Sequence, residues 1–148
     1  MKKLVFAFLL MAAVSVKATA PVEVNEKVLK AFKETFTRAE DVVWHEQDNV
    51  YQANFWQNNI NIRAVYDEGG NLLQTIRYYF ERQLPPNILA RLKKKYDNRS
   101  VYGVTEITSD NEISYYITME DSHNWYTVKS DAYGNMEQTE KMKKADPK

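Results

Sequence analysis

Two histidines and no cysteine restrict what chemistry this 148-residue chain could perform. Without a thiol there is no thiolate nucleophile. His45 begins His45-Glu46-Gln47-Asp48-Asn49, but a zinc-protease helix needs a second histidine where Asn49 stands. Asp121-Ser122-His123 places the three residue types of a hydrolytic triad side by side. A triad needs those groups converging in space, and neighbouring turn residues are expected to point apart. Glu46 and Glu106 are candidate carboxylates for a small hydrolase, yet no spacing fixes them as an acid–base pair. Asp67-Glu68-Gly69-Gly70-Asn71 lacks the spaced acids of a calcium loop, and no glycine-rich phosphate loop precedes a helix. No catalytic residue, metal site or cofactor is assigned, and the chain reads as a non-enzyme.

The elements that would position any site begin after residue 20. Residues 1–20 have the order of a secretory signal: Lys2 and Lys3, an apolar run from Leu4 to Val16, then small residues at Ala18 and Ala20. Cleavage after Ala18 or after Ala20 fits. A run of thirteen residues is too short to span a bilayer, which takes about 20. The mature chain is therefore expected to be soluble, without a membrane span, and periplasmic or secreted. Export permits disulfides, so with no cysteine the core alone must hold the fold. Acids and bases balance at 20 each. Losing Lys2, Lys3 and Lys17 leaves a net charge of −3, which gives no reason to expect nucleic acid as a partner.

Two periodicities then alternate. Val28, Phe32 and Phe36 recur every four residues after Asn25, a capping residue, and predict a helix over 26–38. From Val42 the period drops to two. Tyr51, Ala53 and Phe55 alternate with polar residues, as do Ile60, Ile62, Ala64 and Tyr66. In the fourth run Leu72, Ile76, Tyr78 and Phe80 are in phase. Pro85-Pro86 breaks the sheet and opens a second helix with Ile88, Leu89, Leu92 and Tyr96 inward. Four more strand-like runs follow, near 101–108, 112–119, 125–130 and 136–142. Residues 140–148 are charged and read as a frayed tail.

The order is a duplicate. "AVYDEGGNLL" at 64–73 and "TVKSDAYGNM" at 127–136 make the same Asp-x-x-Gly-Asn turn, each after a matching helix, "VLKAFKETF" or "ILARLKKKY". The copies are offset by 60 at the helices and 64 at these turns, and the four extra residues are expected in hairpin loops. The fold class is α+β: two tandem α-β-β-β-β repeats forming one antiparallel eight-stranded sheet, with both helices on one face. The organisation is a signal peptide at 1–20, a first repeat at 21–83 and a second at 84–148.

Helix-plus-meander units with this turn resemble PepSY-like domains. The tandem arrangement is similar to the exported β-lactamase-inhibitor-like, PepSY-like family, over nearly all of the mature chain. The resemblance implies a fold shared with secreted β-lactamase inhibitors, which grip their enzyme with the open sheet face. The chain departs from those inhibitors in lacking disulfides and in carrying Asn58-Asn59, with no acid, at the turn after "NFWQ". No inhibitor contact residue is carried over.

With Tyr51, Phe55, Ile62, Ala64 and Ile76 toward the helices, the outward set is Trp56, Arg63, Arg77, Tyr79, Tyr116, Trp125 and Lys129. Trp, Tyr and Arg dominate binding hot spots. This set is the candidate contact surface for a protein or peptide in the cell envelope. The other reading is an envelope sensor or structural protein whose sheet mediates self-association.

Overall fold

The computed structural model describes residues 22–145. The signal segment and both cleavage positions lie outside the described residues, as do the last three residues of the tail. The element order is α1 (Glu26–Thr35), β1 (Glu40–Gln47), β2 (Val50–Gln57), β3 (Ile60–Tyr66) and β4 (Leu72–Tyr79), then a 3-10 turn at Glu81–Gln83. It continues with α2 (Pro86–Lys95), β5 (Ser100–Ser109), β6 (Glu112–Glu120), β7 (Asn124–Asp131) and β8 (Met136–Lys143). All eight strands form one antiparallel meander in the order β1 to β8.

Local chemistry explains the joints. Three two-residue hairpin turns, Asp48-Asn49, Asn58-Asn59 and Asp110-Asn111, hold both residues at positive φ. That geometry matches the right-handed twist of the strands, and Asn and Asp tolerate it best after glycine. The Asn25 side chain accepts from Lys27 N at 2.8 Å and caps α1, and its amide donates to Glu68 O at 3.2 Å. The cap thereby ties the helix to the turn between β3 and β4. Helix α1 stops at Thr35, short of residue 38, because Phe36 leaves helical geometry to pack on Phe55 with ring centres 4.7 Å apart.

One core joins both helices to one sheet face. Val28 and Phe32 of α1 and Ile88 and Leu92 of α2 are buried in it with Phe55, Ile62, Ile117 and Val128. The copies fill it differently. Under α1 the filling is aromatic, with Phe32 5.1 Å from both Trp44 and Phe55. After α2, the Arg99 guanidinium lies 3.6 Å from the centre of the Tyr126 ring and 4.9 Å from that of Tyr96.

The offset between the copies grows in two steps. It is 60 from Glu26 to Pro86, 62 from Asp48 to Asp110 and 64 from Gly70 to Gly134. The first step falls inside a strand, since β5 has 10 residues against 8 in β1. The second falls in β6 and the loop after it. Hairpin loops therefore take only part of the insertion. Strand β8 runs to Lys143, so the charged run from residue 140 begins inside the sheet.

Candidate functional site

Register decides which side chains reach the open face, because residues paired across antiparallel strands share a face. One row crosses the sheet through Trp56, Asn61, Tyr78, Thr105, Tyr116 and Lys129. It is opposite in phase to Phe55, Ile62, Glu106 and Tyr115, which face the helices, so the row lies on the helix-free side. Trp56 is 46% exposed. Lys129 Nζ sits 5.7 Å from the centre of the Tyr116 ring. Arg63 lies in the neighbouring row and donates to Asn54 Oδ1 at 3.3 Å. Trp125 lies nearer the far end of the same face, with the Tyr102 ring edge-on at 4.9 Å and Lys144 Nζ at 4.7 Å.

Two of the seven expected outward residues lie on the other face. Arg77 pairs with Ile62 and Tyr79 with Val104, both helix-side. Tyr79 is 5% exposed and donates to Glu106 Oε2 at 2.5 Å. Arg77 Nη1 donates to Glu106 Oε1 at 2.9 Å. The cause is a bulge. Tyr66 pairs with Leu72, but Val65 pairs with Gln74, so Leu73 is an extra residue. In a regular ladder, with Leu73 opposite Val65, Ile62 would meet Ile76 and β4 would show the phase read from its apolar pattern. The one-residue slip exchanges the faces of the whole strand. Ile76 and Tyr78 turn outward, and Phe80 beyond them is 66% exposed. Burial also pushes the Tyr79 phenol far above its ordinary range, helped by the Glu106 carboxylate.

A second bulge adds a residue that alternation does not place. Val101 pairs with Met119 and Gly103 with Thr118, leaving Tyr102 unpaired and 61% exposed beside Trp125. Together Trp56, Tyr78, Phe80, Tyr102 and Gly103 line a shallow cleft of about 370 Å³ at this end of the face, with Asn61, Thr105 and Thr118 as polar groups. Among the described residues, no charged side chain lines it. Gly103 leaves space there, since a Cβ on it would meet nothing within 4 Å. Other hollows are larger, up to about 590 Å³ beside the Asp48-Asn49 turn, but that one is rimmed by His45, Glu46 and Asp48.

The residues considered for catalysis have structural engagements. Glu46 accepts from Asn49 N at 3.1 Å and closes its hairpin. Glu106 stands four strands away in the sheet, about 19 Å by strand spacing. Ser122 Oγ does reach His123 Nδ1 at 2.6 Å, so these neighbours do not point apart. Asp121 takes no part in a relay through that ring. It accepts from Tyr126 Oη at 2.6 Å and from the backbone N–H groups of His123 and Asn124, which holds its carboxyl well below the usual range. Asp67 accepts from Asn71 N and Nδ2 at 2.9 and 2.8 Å, and Asp131 from Asn135 N and Nδ2 at 2.9 and 2.6 Å. These bonds lower both carboxyls and make the two Gly-Asn loops the same turn. Among the described residues no group of three or more His, Asp or Glu could hold a metal ion.

No protein-family model matches this sequence, and no curated protein matches it. Solved structures do. A BLIP-like protein from Bacteroides fragilis superposes with a TM-score of 0.67 at 18% identity, covering 86% of this chain and 92% of that one. A DUF2874 family protein from Bacteroides ovatus gives 0.63 at 19% identity, covering 82% and 89%. A presumed periplasmic protein from Bacteroides eggerthii gives 0.61 at 15% identity, covering 82% and 90%. At these identities the likeness shows the fold, and the fold is BLIP-like: one eight-stranded antiparallel sheet with two helices on one face.

Proposed function

We propose that this chain is an exported, non-enzymatic binding module, inhibitor-like in architecture, that docks a protein or peptide partner on the open face of its sheet. The observation that carries this reading is the row Trp56, Tyr78, Tyr116 and Lys129, with Arg63 and Trp125 beside it, on a face neither helix occupies. Large amphipathic rings and planar cations bury much area for few frozen torsions, and so concentrate binding energy. The reading keeps an export signal at residues 1–20 and two units at 21–83 and 84–148. A periplasmic address agrees with the description of the Bacteroides eggerthii neighbour, and no helix among the described residues is long and apolar enough to cross a membrane. Self-association through the sheet edge has less support, because β8 sets Glu137, Glu140, Lys141 and Lys143 along its free edge.

The test is in-envelope crosslinking with the tagged full chain, followed by measured affinity for the protein recovered. Trp56→Ala, Trp125→Ala and Lys129→Ala should each weaken that affinity about tenfold or more, the scale of a hot-spot truncation. Their melting temperatures should stay near wild type. Lys30→Ala on the solvent side of α1 should bind as wild type. Equal binding by all three sheet variants would overturn the docking reading.

A further inference from the structure

The docking reading leaves open what part of a partner is recognised. Three features of the open face bear on that. The cleft between Trp56, Tyr78, Phe80 and Tyr102 has apolar walls and a few neutral hydrogen-bonding groups, and among the described residues no charged side chain lines it. Its base at Gly103 has room, and Gly103 does not hold a left-handed backbone, so the space does not follow from a turn. Two cations flank it. Arg63 stands one strand across and two residues along from Tyr78, and Lys129 two strands across from Thr105, each on the order of 10 Å away by strand geometry. Among the described residues neither forms an ion pair, although Glu137 is the register partner of Lys129.

We infer that this cleft takes one large apolar side chain from an extended acidic segment of the partner, with carboxylates on either side of that side chain meeting Arg63 and Lys129. This rests on the docking reading and specifies the chemistry of its ligand. An uncharged, aromatic-walled hollow favours an apolar insert, since a charged one would be desolvated without a partner. An extended chain covers about 10 Å in three residues, so acids three positions before and after the insert fall near the two cations. The flanking cations select against a basic segment by like-charge repulsion.

The experiment uses the isotope-labelled full chain and three acetylated, amidated heptapeptides. The first has a central tryptophan with aspartates three residues to either side. The second carries lysines in place of the aspartates, and the third serine in place of the tryptophan. A soluble β-glucan oligosaccharide is the fourth probe, because rings two strands apart also suit a sugar chain. The first peptide should shift the backbone amide signals of Asn61, Tyr78, Gly103 and Thr118 and bind at least tenfold more tightly than the other two peptides. Gly103→Leu should fill the cleft, retain the wild-type melting temperature and abolish that binding. Trp56→Ala provides a second variant should the leucine perturb β5. Equal binding of the aspartate and lysine peptides, binding retained in both variants, or shifts from the oligosaccharide alone would each overturn the inference. Should the peptides fail while Trp125→Ala and Lys129→Ala still weaken capture of a partner, the docking reading stands and the cleft assignment falls.

Discussion

Glu106→Ala removes the acceptor shared by two inward donors, and the structure sets the size of the effect. Tyr79 is 5% exposed, so its hydroxyl would be left without a partner and without water, a loss of about 1–3 kcal/mol. The Arg77 side chain is 38% exposed and can turn toward solvent, which adds about 1 kcal/mol at most. The sum is about 1–4 kcal/mol, read as a lower midpoint in urea unfolding followed by circular dichroism. Glu106→Gln keeps one acceptor oxygen and should lose about half as much, as neutral bonds replace charge-assisted ones. Tyr79→Phe alone should cost about 1.5–2 kcal/mol, the worth of one bond to a carboxylate. The double variant Tyr79→Phe with Glu106→Ala is the decisive one. Its phenyl ring needs no acceptor, so it should be no less stable than Glu106→Ala alone. Simple addition of the two single losses would refute the assignment of Tyr79, Glu106 and Arg77 to one coupled inward cluster. So would a Glu106→Ala loss below that of Tyr79→Phe.

Two further outcomes follow from the turns and the core. Gly70 and Gly134 both sit at φ +84°, but a Cβ on Gly70 would lie 2.8 Å from the backbone oxygen of Lys27, whereas one on Gly134 would meet the flexible Arg91 side chain. Gly134→Ala should therefore cost about 1–2 kcal/mol from backbone strain, and Gly70→Ala about 1 kcal/mol more because the N-terminal turn of α1 must move; thermal melts of the pair check the order. At high pH the buried Tyr66 phenol matters, since burial pushes it up to about 12. A raised phenol contributes its full stability below pH 10 and loses it as pH climbs from 10 through 12, so unfolding free energy should fall by about 2–3 kcal/mol over that window, and Tyr66→Phe should remove that part of the fall.

The elements were legible because their signals are local. The run Ile60, Ile62, Ala64 and Tyr66 alternates over the whole of β3, and each is buried. The two-residue turns are written in Asp-Asn and Asn-Asn pairs that accept positive φ. Facing was legible wherever a strand carries one apolar phase, as in β6 and β7, and so Tyr116, Trp125 and Lys129 lie on the open side as expected. Strand β4 carries two. Ile76, Tyr78 and Phe80 form the more apolar phase, and the alternative puts an arginine inside. The partner that admits Arg77 is Glu106, 29 residues away on another strand, and no window of sequence brings the two together. Tyr102 escaped notice for a related reason, since a residue left out of the ladder has no place in an alternating pattern.

The open face owes its aromatic character to these slips more than to composition. Had β4 kept a regular ladder with Leu73 opposite Val65, Tyr78 would lie under the helices and Arg77 and Tyr79 would face solvent, flanked by Asn61 and Thr105. The exchange also serves the core, because Glu106 faces the helices through its own pairing with Tyr115, and Arg77 and Tyr79 are the donors that satisfy its carboxylate. A buried ion pair with one hydrogen-bonded phenol is at best near neutral for stability compared with apolar packing. What the slip provides is on the other side: Tyr78 and Phe80 brought beside Trp56, opposite a β5 strand whose own bulge frees Tyr102 and leaves Gly103 without a side chain. Two irregularities, one in β4 and one in β5, thus converge on one cleft. A variant lacking Leu73 tests this register: Gln74 then follows Leu72 opposite Val65, the ladder runs without a bulge, and Arg77 and Tyr79 stay inward with Tyr78 outward. Its stability should hold within about 1 kcal/mol of wild type in urea unfolding, and the backbone amide signals of Tyr78 and Gly103 should stay near their wild-type positions; a strand refolded with Ile76 inward would refute the register.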